Sequence, residues 1–267
     1  MSVPAVDELF DLASPDSEEV VATRLALLGA AVDEPQVLGR FTDEELVALD
    51  GPGEAPVAPS PWFDSLTEAE QQTAVTAALR GLTARGVYRA VPVDPDAGTF
   101  AFQATAEILA LLTMRRFTGT VVVAERRLAE QRDWAVLYQQ RAGLWLVEYV
   151  TFVGQHEFVL ATDDEVVASL TTWSGARDGV DAPALDLVLT RDEVAGQDAR
   201  LEPVGRSTAA VTITRLEIGE SVAESWSGVF TGPEGAYVSV SVGDDVGYRG
   251  TDRDGVAAHW REQVVPA

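Results

Sequence analysis

Apolar positions recur with helical spacing over residues 18–30, EEVVATRLALLGA, where Val21, Leu25 and Leu28 fall on one face and predict an amphipathic helix. Thr42-Asp43-Glu44-Glu45 reads as the cap of a short helix ending near Leu49. The pattern then stops. GPGEAPVAPSP, residues 51–61, holds four prolines and two glycines and reads as an extended connector. Thr67-Glu68-Ala69-Glu70 is a capping box, and the following QQTAVTAALRGLTAR aligns Val75, Leu79 and Leu82 before Gly86 ends the helix. Val87–Val91 and Thr99–Phe102 flank DPDAG and predict a β-hairpin, and Thr105–Arg116 returns to helical spacing through Ile108, Leu111 and Leu112.

From Gly119 the period becomes two. GTVVVAER, DWAVLYQQ, GLWLVEYVT and HEFVLA predict four strands, closed by a helix over 162–173. A Gly/Asp-rich stretch, 174–183, precedes LDLVLT and a short TRDEVAG turn, and a loop ends near Gly205. STAAVTITRLE, VAESWSGVF, GAYVSVSV and DVGYRG then predict four more strands, and TDRDGVAAHWREQV a closing helix. Thr162–Ala168 aligns with Thr251–Ala257, and the strands before each fall into the same order. The expected fold is therefore α/β in the α+β sense: two similar antiparallel sheet-plus-helix halves related by a pseudo-twofold, preceded by an N-terminal helical segment. The segments divide as 1–61, 62–206 and 207–267, read together as one compact domain.

Charge narrows the partners. The chain carries 43 acidic and 19 basic residues, a net charge of −24, and every basic residue is arginine. The densest basic pairs, Arg115-Arg116 and Arg126-Arg127, form no cationic stripe, so nucleic acid and anionic membrane are excluded as expected partners. The absence of cysteine removes disulfides, thiol catalysis and thiolate metal sites. The N-terminal residues lack the basic and apolar regions of a signal peptide, and no apolar run reaches membrane-spanning length, which predicts a cytoplasmic protein.

Catalytic signatures are sparse. Without lysine there is no Walker A loop, and neither G-x-G-x-x-G nor G-x-S-x-G occurs. His156 and His259 read as isolated, half-exposed polar residues with no zinc-site spacing. Asp163-Asp164-Glu165 and Asp252/Asp254 sit in first helical turns after a threonine, where capping explains them, and a hairpin turn explains Asp94 and Asp96. No cofactor and no metal are expected. Trp134, Trp145 and Trp226 lie in predicted strands and are assigned to the core.

LTEAEQQTAVTAALRGLTARGVY, then AEILALLTMRR, then two strand runs each closing on a helix, together resemble the EspG family of type VII secretion chaperones of actinobacteria, over roughly residues 65–267. The resemblance implies a non-catalytic cytosolic chaperone or adaptor. Such a protein holds a helical secretion substrate through its central sheet, neighbouring loops and C-terminal helices, as a monomer or homodimer. On that basis the expected partner-binding residues are Glu125, Arg126, Arg127 and Arg132, in a charged loop interrupting the first sheet, with His259 and Trp260 exposed on the final helix. Three other classes stay open: an immunity-type or other protein-binding module, an enzyme or small-ligand protein with a site between the two halves, and a winged-helix regulator built from the helices near 20–30, 42–49 and 67–84 with the hairpin at 87–102.

Overall fold

The computed structural model describes residues 17–50, 57–94, 99–116, 119–218 and 222–265. The chain opens with α1 (Glu18–Ala30), β1 (Gln36–Thr42) and α2 (Asp43–Asp50), then a 3₁₀ turn at Phe63–Ser65 and α3 (Glu68–Ala84). A separate hairpin, β2 (Tyr88–Asp94) and β3 (Thr99–Ala104), leads to α4 (Ala106–Arg116). Four strands follow, β4 (Thr120–Leu128), β5 (Gln131–Arg141), β6 (Leu144–Val150) and β7 (Gln155–Thr162), and then α5 (Asp163–Trp173). The second run begins with β8 (Asp186–Leu189), α6 (Arg191–Ala195), a 3₁₀ turn at Ala199–Leu201 and α7 (Glu202–Gly205). It continues through β9 (Ala209–Ile218), β10 (Val222–Gly232), β11 (Gly235–Val242) and β12 (Asp245–Thr251) to α8 (Arg253–Val264).

Ten strands form one antiparallel sheet in the order β1-β7-β6-β5-β4-β9-β10-β11-β12-β8. The order reads alike from both ends: each half is an edge strand beside four consecutive strands, and the halves join where β4 pairs antiparallel with β9, Ala124 opposite Ile213. The repeated halves are thus fused through main-chain hydrogen bonds into a single sheet. A run of four meandering strands leaves its first and last members as open edges; pairing the first strands together and laying β1 and β8 on the last ones covers those edges.

Alternation along the strands sends side chains to two differently covered faces. On one face Val122, Ala124, Leu137, Trp145, Val211, Ile213 and Val229 pack under α5 and α8. These helices run antiparallel and touch along their length: Arg261 meets Asp164 at 2.7 Å, and Arg253 donates to the Ala176 carbonyl at 2.7 Å. On the other face Val136, Tyr138, Leu146, Phe158 and Leu160 lie under residues of α1, α2, α3 and α4. The same face of the second half has a much smaller cover, in which Leu189, Val204, Tyr237 and Tyr248 are the buried members.

The helix over 18–30 and the capping box at Thr67 and Glu70 form as the pattern predicts, Thr67 N donating to Glu70 at 2.8 Å. β1 is not legible from QVLGRFT; it becomes a strand by pairing with β7 across a bulge at Val37/Gly39. The region expected to resemble a winged helix does not stand apart: β1 intervenes between α1 and α2, and α1 to α4 bury their apolar faces in the sheet's own core. Most of the proline-rich connector and the tip of the DPDAG turn lie outside the described residues.

Candidate functional site

The stretch Glu125–Arg132 is not a loop that interrupts the sheet. Glu125, Arg126 and Arg127 lie within β4 and Arg132 within β5, so the charges decorate a continuous hairpin with Arg127 opposite Arg132. Strand alternation was the missed signal: VVVAERRL keeps its period of two through the charged positions. Alternation also splits the group. Arg126 turns to the α5/α8 face, where its guanidinium stacks 4.5 Å over the Trp173 ring, donates to the Trp173 carbonyl and pairs with Asp133 at 2.6 Å. Glu125, Arg127 and Arg132 turn to the opposite face, where Glu125 accepts from Arg127 at 2.9 Å and lies 3.8 Å from Arg132.

That face carries an exposed strip across the middle of the sheet. Register places Glu125 beside Thr212 of β9 and Arg127 beside Ala210, while Thr214 faces Trp226 of β10. Trp226 is 56% exposed, against the expectation that it fills the core. Thr212, Thr214 and Gly228 beside it are too small to cover an indole, so the ring stands on the sheet with arginines to one side. Trp145, by contrast, is buried as expected and donates to Asp163 at 2.8 Å.

His259 and Trp260 do not belong to this surface. Both are buried, 4% and 0% exposed, because they sit on the face of α8 that packs against the sheet. Trp260 donates its indole N–H to Ser174 at 2.9 Å, and His259 bonds Ser227 at 3.2 Å; burial holds the His259 pKa below its ordinary value. The sequence of the last helix is polar overall, yet one buried stripe of Val256, His259, Trp260 and Val264 suffices to seat it.

His156 is likewise not half-exposed: it is the centre of a buried ionic chain. Its Nε2 lies 2.7 Å from Asp43 and its Nδ1 2.7 Å from Glu148. Glu148 takes two further hydrogen bonds from Arg115 at 3.0 Å and one from Tyr138 at 2.9 Å, and Arg115 reaches Asp50 at 2.8 Å. The second Asp43 oxygen accepts the N–H groups of Trp62 and Phe63 at 2.8 and 2.9 Å. Burial alone would lower the His156 pKa, but hydrogen bonds and the charges of Asp43 and Glu148 outweigh it and raise the pKa. Burial likewise opposes ionisation of Glu148, and the Arg115 guanidinium, with His156, overcomes it and holds the carboxyl below its ordinary range. Both imidazole nitrogens are spent on carboxylates, and the arrangement ties α2, α4, β5, β6, β7 and the 62–63 segment together. In the sequence its one signal was Glu148, a charge inside the apolar run LWLVEYV.

The acidic groups at helix starts are engaged locally. Glu165 accepts from Thr162 N at 3.0 Å, Asp252 caps α8 by accepting from Gly255 N at 2.9 Å, and Asp164 pairs with Arg261.

No protein-family profile matches the sequence, and no curated protein matches it. In fold, the chain is similar to the Mycobacterium tuberculosis type VII secretion system chaperone EspG5, solved in complex with the PE25–PPE41 dimer: the TM-score is 0.53 at 10% sequence identity, covering 85% of this chain and 96% of that one. The ten-stranded sheet with its paired helices is thus an EspG-like fold.

Proposed function

We propose that this chain is a non-catalytic, cytoplasmic chaperone or adaptor that holds a helical client of type VII secretion on the exposed strip of its central sheet. The observation that carries the reading is the fold likeness to a secretion chaperone solved with its protein partner, extending over most of both chains. The strip supports it physically. Tryptophan and arginine are the side chains enriched at the energetic centres of protein interfaces, and the same sheet face exposes Trp226 in one row and Arg127 and Arg132 in another, four residues along the strands. The strand scaffold fixes these side chains before a partner arrives, which limits the ordering cost of association. No helix among the described residues is long and apolar enough to cross a membrane, in keeping with a role away from the lipid phase.

The test is affinity capture of the tagged chain from its native cytosol, with co-purifying proteins identified by mass spectrometry against an equally acidic control. Stoichiometric recovery of a helical protein with secretion features establishes the chaperone; recovery of nothing above the control refutes it.

A further inference from the structure

In the first half, the chain between edge strand β1 and central strand β4 spans residues 43–119 and fills the sheet face with apolar side chains from α2, α3 and α4. The matching connection in the second half, between β8 and β9, spans only residues 190–208. This shorter cover leaves a cavity of about 850 Å³ between α6, α7 and the sheet, within the roughly 300–1,000 Å³ range of small-ligand sites. It lies within the second half, not between the two halves as the sequence suggested for a small-molecule site.

The cavity's chemistry is uneven. Phe230, Tyr248 and Ala210 of the sheet, with Val194, Leu201 and Val204 of the cover, line it with apolar surface. The Ser207 hydroxyl at its wall is buried without a hydrogen-bond partner among the described residues, an arrangement that costs free energy unless something bonds it. Gln197, also in the wall, holds a left-handed backbone at φ 54°, a strained conformation for a non-glycine residue. Carboxylates engage Arg206 in the wall and Arg200 beside it. Arg200 is held by Glu193 at 2.7 Å and Asp198 at 2.9 Å, and Arg206 by Glu202 at 2.8 Å and Glu234 at 2.9 Å. Among the lining residues Asp198 and Glu202 outnumber Arg206, so the rim carries net negative charge and repels an anion.

We propose that this cavity is a binding site for a small amphipathic cation, with a hydrocarbon or aromatic body against Phe230 and Tyr248 and an amine toward the Asp198 and Glu202 rim. The site adjoins the exposed strip without containing Trp226, Arg127 or Arg132: Ala210 and Phe230 of its floor continue the row of Arg127.

The experiment is calorimetric titration of the full chain with decylammonium below its micellar concentration, with decanoate as the same-length anion. The site predicts saturable one-to-one binding of decylammonium and binding of decanoate weaker by about tenfold or more. Glu202→Gln weakens decylammonium binding by about threefold, the size of one exposed ion pair. Ala210→Trp, which fills the cavity from the sheet side, abolishes binding. Leu201→Arg, outside the sheet, supplies a competing cation and does the same if the first variant fails to fold. Absence of saturable binding, equal binding of the two probes, or unchanged binding by a folded cavity variant overturns the proposal.

Discussion

Glu148 stands in a strand whose other side chains are nearly all apolar and buried, and its carboxylate is tolerated there because Arg115, His156 and Tyr138 occupy its oxygens. Removing one partner strands the others without water. Glu148→Ala is expected to destabilise the fold by about 3–5 kcal/mol, the cost of leaving a buried charge uncompensated, measured by denaturant unfolding. His156 sets a pH dependence of definite sign. Its pKa is raised in the folded state, so its contribution is fully present below the ordinary histidine value of 6.5 and is lost as pH rises through the raised value. His259, lowered by burial, works the other way, contributing above 6.5 and losing that contribution as pH falls through the lowered value. Thermal midpoints measured upward from pH 6.5 should therefore decline in the wild type and in His259→Gln, but not in His156→Gln; a decline that survives His156→Gln contradicts the assignment.

At the scale of elements, the helices were legible where capping and periodicity coincide, as at Thr67 and Thr162, since both are local properties of the chain. Thr162→Ala breaks the capping box with Glu165 and should cost about 1 kcal/mol in equilibrium unfolding. Arg126 joins β4 to the end of α5 through Trp173, so Arg126→Ala should cost about 1–2 kcal/mol, most of it recovered by Arg126→Lys only if charge rather than planar stacking dominates. β1 was not legible, because a seven-residue edge strand with a bulge takes its conformation from β7 and not from its own spacing. The same non-locality hid the burial of His156 and His259: a histidine's surroundings are set by strands and helices distant in sequence.

Across the whole molecule, the aligned threonine-led helices and the four-strand runs before them revealed the duplication, but not that the two halves share one sheet through β4 and β9. Joining there makes the exposed strip: Arg127 and Arg132 come from the first half and Trp226 from the second, so the strip exists only in the fused sheet. No local pattern in the sequence specifies that junction, and Trp226 alternates along β10 as a core residue would. The asymmetry of the covers follows from chain length, 43–119 against 190–208, and leaves the second half of that face the thinner one. Whether the strip holds a client is decided by paired affinity capture with the wild type and a folded Trp226→Asp variant from the same native cytosol, quantified by mass spectrometry. Recovery of a stoichiometric helical client by the wild type, reduced about tenfold or more by the variant, is the predicted result; equal recovery by both, or none by either, contradicts the account.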